Sequence, residues 1–290
     1  MPAIKNFNSI SPSAEFLIRL KSFTTIPFAK ETAALLLKGA VAEATERSQA
    51  DRNFFFRQMI HFENRYRTID KILSGLSASN FLELSSGYSL RGLNLSLQKN
   101  CTYIDTDLPA LIEEKKKIVE TLTEEHSLQL KGHLELTELN ALSVLDFIKT
   151  VEKFPEGNIA IINEGLLPYL NEEEKRKLCQ NIHDALERKG GHWITGDIYV
   201  KNKIRETANI PEEAKKWRQM HNIEDNKFDS YDNAEQFFND CGFEIARREL
   251  FAIEELSCLE LLGDRKYELI EELKVAEPIR QTWCLKIQEK

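Results

Sequence analysis

Apolar positions in the first quarter of the chain recur at helical spacing. Phe55, Met59, Phe62, Tyr66, Ile69 and Leu73 are separated by 4, 3, 4, 3 and 4 residues, which paints one face of a helix. Upstream, residues 31–46 are rich in strong helix formers. Gly75 sits where a helix C-cap is expected. Residues 1–78 are therefore expected to form an N-terminal helical cap. The period then changes. Short apolar runs at 80–84, 102–105, 134–139, 158–163 and 192–198 alternate with helical patterns at 89–98, 108–122, 143–151 and 172–189. That alternation predicts a mostly parallel sheet covered by helices on both faces. Asn171 and Glu174 have capping-box spacing, and Gly190-Gly191 ends the same helix. Residues 199–230 break the rhythm. They are polar, carry Trp217 and offer no convincing strand, so they are read as a helical lid inserted into a core spanning 79–290. The pattern resumes with a helix at 233–242, a strand at 243–251, a helix near 265–274 and a last strand at 281–287.

Composition narrows the field without naming a function. With 42% hydrophobic and 30% charged residues, the chain reads as an ordinary globular protein. A net charge of −8 lacks the basic field that nucleic-acid backbones select, so no nucleic-acid partner is expected. No apolar run approaches the length of a membrane span, and the first residues lack a secretory h-region. The five cysteines stand singly without a CxxC pair. Reduced thiols in a cytoplasmic protein are the expectation, with no metal site.

The chemistry concentrates at strand ends. The first strand runs through Glu83-Leu84-Ser85-Ser86-Gly87 straight into a helix, where doubly wound sheets bind nucleotides. Gly87 allows close backbone approach or a positive φ. The second strand ends in Asp105-Thr106-Asp107, which suits hydrogen bonding to ribose hydroxyls. A dinucleotide fingerprint is missing, because Ser85 stands at its first glycine. That favours a nucleoside without a pyrophosphate over a nicotinamide cofactor.

Taken in order, Arg65-Tyr66-Arg67-Thr68-Ile69-Asp70, SSGYSLRG at 85–92, DTDLP at 105–109 and EGLLPYL at 164–170 resemble the leucine carboxyl methyltransferase superfamily. That group of S-adenosylmethionine (SAM)-dependent methyltransferases includes polyketide-type O-methyltransferases. The resemblance implies an α/β, Rossmann-like sheet whose last strand is antiparallel, with SAM as cofactor and S-adenosylhomocysteine (SAH) as product. It implies that Arg65 holds the methionine carboxylate, in a two-pronged pair that suits a guanidinium. Gly87 is implied beneath the ligand, Asp107 at the ribose, Asn140 at the adenine edge, Glu164 below the amino group, and Tyr169 near the transferred methyl as the catalytic candidate; Glu83, at the end of the first strand, is taken as a further cofactor-binding residue. Ser85, Ser89 and Asn140 depart from the family pattern. These departures bear on cofactor affinity more than on fold.

The implied activity is O-methyl transfer to a carboxylate or acidic hydroxyl of a small molecule. A carboxylate is already ionised at neutral pH, whereas an alcohol or phenol usually needs a general base. His183, His192 and His221 are the histidines weighed for that task, and none makes a clear base. A protein C-terminal carboxylate as acceptor, or a SAM-binding module without catalysis, are the alternatives.

Overall fold

The computed structural model describes residues 11–37, 49–201, 211–275 and 278–289. Three helices, α1 (Ser11–Lys21), α2 (Ala29–Leu36) and α3 (Gln49–Ser74), precede the first strand. The predicted stripe lies on α3, where Met59, Tyr66 and Ile69 are buried. Helix α2 ends at Leu36, and the rest of the expected 31–46 helix beyond residue 37 lies outside the described residues, as does 202–210 of the expected insertion.

The sheet has seven strands: β1 (Asn80–Leu84), β2 (Thr102–Asp107), β3 (His133–Glu138), β4 (Ile159–Asn163), β5 (Gly191–Tyr199), β6 (Phe243–Glu249) and β7 (Arg280–Ile287). Their order is β3-β2-β1-β4-β5-β7-β6. All neighbours pair in parallel except β7, which is antiparallel to both β5 and β6. The intervening helices are α4 (Arg91–Gln98), α5 (Pro109–Glu125), α6 (Val144–Val151), α7 (Glu172–Lys189), α8 (Glu212–Met220), α9 (Tyr231–Asp240) and α10 (Arg265–Val275). The Asn171–Glu174 capping box forms at the start of α7, with both reciprocal hydrogen bonds present.

Strand alternation assigns each face. Leu82 and Leu84 of β1 pack with Phe147 of α6, Leu178 and Ile182 of α7, and Phe237 and Phe238 of α9. Phe81 turns the other way, onto Ile69, Ile72 and Leu73 of α3. Glu83 shares that second face by the same period of two. After β5 the chain leaves the core through α8, and after β6 it makes a second excursion over 250–275. There Leu256, Cys258 and Leu259 pack on Phe55, Met59 and Ile60 of α3. Glu63 of α3 fixes this excursion by accepting hydrogen bonds from Ser257 Oγ at 2.6 Å and Cys258 N at 2.9 Å. The sequence pattern did not anticipate this second excursion as a wall over the sheet.

The strand order reverses direction between β1 and β4. The loops leaving their carboxyl ends diverge to opposite sides and open a crevice between them, the place where open parallel sheets bind ligands.

Candidate active site

A cavity of about 1080 Å³ opens above that switch point. Its floor is Ser85–Gly87 after β1, Asp107 at the end of β2, Asn140 after β3 and Glu164–Leu166 after β4. Helices α1 and α3 form one wall, α8 another, and Phe251, Leu269, Ile279 and Arg280 a third. The cavity gathers Arg65, Gly87, Asp107, Asn140, Glu164 and Tyr169 from five separate segments.

The turn after β1 is held by carboxylates of β2. Asp107 accepts from Gly87 N and from Leu108 N, both at 2.7 Å. Burial raises the Asp107 pKa, and those two N–H groups oppose the rise. Gly87 has φ +56°, and Ser85 has φ +50°. The serine therefore adopts the left-handed conformation that a glycine reaches freely, at a cost of about 1 kcal/mol. Deeper in, Asp105 pairs with the fully buried Lys115 at 2.6 Å and accepts from Ser86 Oγ. Asp105 thus fastens the turn from beneath.

Glu83 corrects one expectation. It is wholly buried and does not line the cavity; it pairs with Arg91 Nη1 and accepts from Tyr103 Oη at 2.6 Å. Alternation along β1 sends its side chain between the sheet and α3–α4, away from the ligand space. Its role is to support Arg91, which carries charge on to the floor.

Glu164 is the electrostatic centre of that floor. It receives Lys21 of α1 at 2.6 Å, Arg91 of α4 at 2.9 Å and Arg65 of α3 at 3.3 Å. Burial disfavours its charge, but these three cations outweigh burial and hold its carboxyl far below the usual range. Arg65 spends its other contacts on Tyr199 Oη at 3.2 Å and Asp197 at 3.8 Å. Arg65 Nη2 is buried with no hydrogen-bond partner. The expected two-pronged arginine is thus already half engaged, and one nitrogen is left for a ligand.

Asp197 was not singled out from sequence, yet it shapes the loop after β4. Its carboxylate accepts from the backbone N–H groups of Gly165, Leu166 and Leu167 and from Asn163 Nδ2. Those bonds aim Glu164 and set the short helical turn that ends at Tyr169. Tyr169 Oη donates to Ser13 Oγ at 3.3 Å, its ring stands edge-on to Trp217, and burial pushes its pKa up to about 12.

His61 is the second residue that sequence reasoning missed. It lies one helical turn before Arg65 on α3, lines the cavity, and places Nε2 at 2.8 Å from Tyr199 Oη. Burial, reinforced by Arg280, Arg65, Arg218 and Lys227, drives its pKa well below the usual value. His61 is consequently neutral at pH 7. None of the three histidines weighed from sequence lines the cavity: His183 packs on Phe243, and His221 packs behind Tyr169 and Trp217. The sequence signal for His61 is its spacing of four from Arg65 on one helix face.

The sequence matches the family described as leucine carboxyl methyltransferase over residues 11–183, so the match covers more than half of the chain. The site therefore sits on a Rossmann-like SAM-methyltransferase fold, and the chain belongs to the leucine carboxyl methyltransferase family, whose cofactor is SAM. No curated protein matches the sequence. Among solved structures, a DUF574 family protein from Streptomyces avermitilis is 11% identical and superposes with a TM-score of 0.53 over 96% of this chain and 99% of its own. Magnesium protoporphyrin IX methyltransferase from Synechocystis, solved with SAH, is 10% identical with a TM-score of 0.46 over 82% of this chain and 95% of its own. LepI, solved with SAM, is 13% identical with a TM-score of 0.46 over 76% of this chain and 46% of its own. This chain thus spans about half the length of LepI. At 11% identity the likeness to the DUF574 family protein is one of fold. Among the described residues no helix is long and apolar enough to cross a membrane.

Proposed function

We propose that the protein is a SAM-dependent O-methyltransferase acting on a carboxylate or acidic hydroxyl of a small molecule. The observation that carries this reading is a single cavity with two chemically different ends. One end is the strand-end floor with Gly87 and Asp107; the other is a wall carrying His61, Tyr199 and Arg280. About 1080 Å³ exceeds the usual range for one drug-sized ligand, which leaves room for a cofactor and an acceptor together.

The residues present fit the cofactor. The unpartnered Nη2 of Arg65 suits its carboxylate, and Glu164, ionised among cations, suits its amino group. Asp107 offers acceptor oxygens to ribose hydroxyls, and Asn140 offers both a donor and an acceptor to the adenine edge. Gly87 keeps the turn free of a side chain. When bound, SAM supplies an electrophilic methyl group on a sulfonium. The chain must then hold an oxygen nucleophile near 3 Å from that methyl, aligned and shielded from water. Tyr169 remains a protonated phenol at neutral pH and acts here by contact and positioning. Helices α1 and α8 cover the floor and limit water.

Calorimetry with SAM and SAH, followed by transfer of a labelled methyl group to a panel of small acids and phenols, tests the reading. Wild-type protein that binds neither nucleoside would refute it. Binding without turnover over the whole panel would favour a SAM-binding module.

A further inference from the structure

Arg280 opens β7 directly opposite Tyr199 of β5 in the antiparallel pair, so the two side chains share one face. It lines the cavity although only 3% of its surface is exposed. Its guanidinium donates to Gly196 O at 3.2 Å, Thr282 Oγ1 at 2.6 Å and Thr68 Oγ1 at 3.5 Å. All three acceptors are neutral. The other buried cations of the cavity wall are compensated: Lys21 and Arg65 both pair with Glu164, and Arg65 also reaches Asp197. Among the described residues Arg280 has no ion-pair partner. A buried charge without a counterion is costly, and removing it or pairing it restores stability. An arginine cannot shed its charge as a lysine can, so pairing is the available relief. The neighbouring His61 is neutral and brings no negative charge.

We propose that Arg280, with the Tyr199 hydroxyl beside it, is the docking site for an oxyanion of the methyl acceptor, either a carboxylate or an ionised phenol. The acceptor's remaining body has an apolar part, which Phe55, Ile60, Phe251, Leu269 and Ile279 of the lining accommodate, while Arg218, Glu224 and Lys227 line the cavity as ion-paired charges. The term acceptor rests on the function proposed above; the oxyanion site itself rests on Arg280 alone.

Isosteric pairs of probes test this by calorimetry, on the protein alone and saturated with SAH. Benzoate is compared with benzamide, and 4-nitrophenolate at pH 8 with 4-nitroaniline. The anion of at least one pair should bind roughly 10- to 150-fold more tightly than its neutral twin, the worth of a charged hydrogen bond. Whichever pair discriminates identifies the oxyanion. Arg280→Gln should abolish the discrimination while leaving SAH affinity unchanged. Equal binding within both pairs, or discrimination that survives Arg280→Gln, overturns the assignment. Should that variant fail to fold, Arg280→Lys carries the test. Its compact ammonium lacks the planar fork, so discrimination must fall several-fold, and unchanged discrimination refutes the site. Failure of SAH to bind would count against the methyltransferase reading, and the probe pairs on the unliganded protein would still judge Arg280.

Discussion

Replacing Glu164 by glutamine keeps the shape of the floor and removes the negative charge on which Lys21, Arg65 and Arg91 converge. Three cations then face an amide, but they are not equally exposed to the loss. Arg91 keeps Glu83 and Asp70, and Arg65 keeps Asp197. Lys21 keeps no other ion pair among the described residues. Breaking a buried pair from one side costs about 3–5 kcal/mol. With a urea m-value of about 3 kcal/mol/M for a chain of this size, Glu164→Gln should lower the unfolding midpoint by roughly 1–1.7 M at pH 7. Most of that loss belongs to the stranded ammonium, so adding Lys21→Met should recover about half, giving a coupling energy above about 1 kcal/mol in the double-mutant cycle. The pH dependence has a definite sign. The folded pKa of Glu164 lies below its unfolded value of 4.5, so its contribution is complete above pH 4.5 and fades only as pH falls further toward the folded pKa. The gap between wild type and variant should therefore stay constant from pH 8 to about pH 5. Urea titrations followed by tryptophan fluorescence measure it. A midpoint shift below about 0.3 M, or strictly additive single mutants, would show that Glu164 does not anchor these cations.

Asp107→Ala should weaken SAH binding by roughly 10- to 150-fold in calorimetry, and affinity equal to wild type would remove Asp107 from the cofactor contacts. Gly87→Ala places a Cβ at φ +56° with only Ala14 nearby, at 3.7 Å, so folding should lose about 1–2 kcal/mol while SAH affinity falls by more than that equivalent; a loss of stability alone would mean the ligand does not lie over this turn. His61 has a folded pKa depressed below 6.5, so the unfolded chain binds its proton first and wild-type stability should drop as pH falls below 6.5. His61→Gln should flatten that part of the stability–pH curve, and an unchanged slope would locate the titration elsewhere.

The floor of the site was readable because each of its residues closes a strand. Gly87, Asp107, Asn140 and Glu164 sit at the points where an apolar run of period two gives way to a helix. A parallel sheet brings all such points to one edge, so local pattern and global position agree. Glu83 misled for the same reason: it belongs to the motif, but it stops one residue short of the turn and alternation turns it inward. The wall was not readable. His61 is a mid-helix residue, Tyr199 ends β5, Asp197 lies within it, and Arg280 begins β7. Packing of α3 on β5 brings His61 to Tyr199, and the antiparallel β5–β7 pair brings Arg280 opposite Tyr199; no local pattern declares either pairing. Residues 250–275 carry no sequence pattern that places them, and it is their packing on Phe55, Met59 and Ile60, with the hydrogen bonds of Glu63, that folds them back over α3.

The placement of β7 also governs when the molecule can be finished. It is the last strand in sequence, yet it lies inside the sheet, so β5 and β6 each present an open edge until it arrives. Five parallel strands with their helices can assemble while the chain is still emerging. The polar wall of the cavity cannot, since Tyr199 meets Arg280 across 81 positions of sequence and only through the final pairing. Such a late, long-range closure slows folding and leaves strand edges available to other chains in the meantime. The part of the cavity proposed for the acceptor therefore forms only with that pairing, and it is the part most exposed to misassembly while β7 is still unpaired.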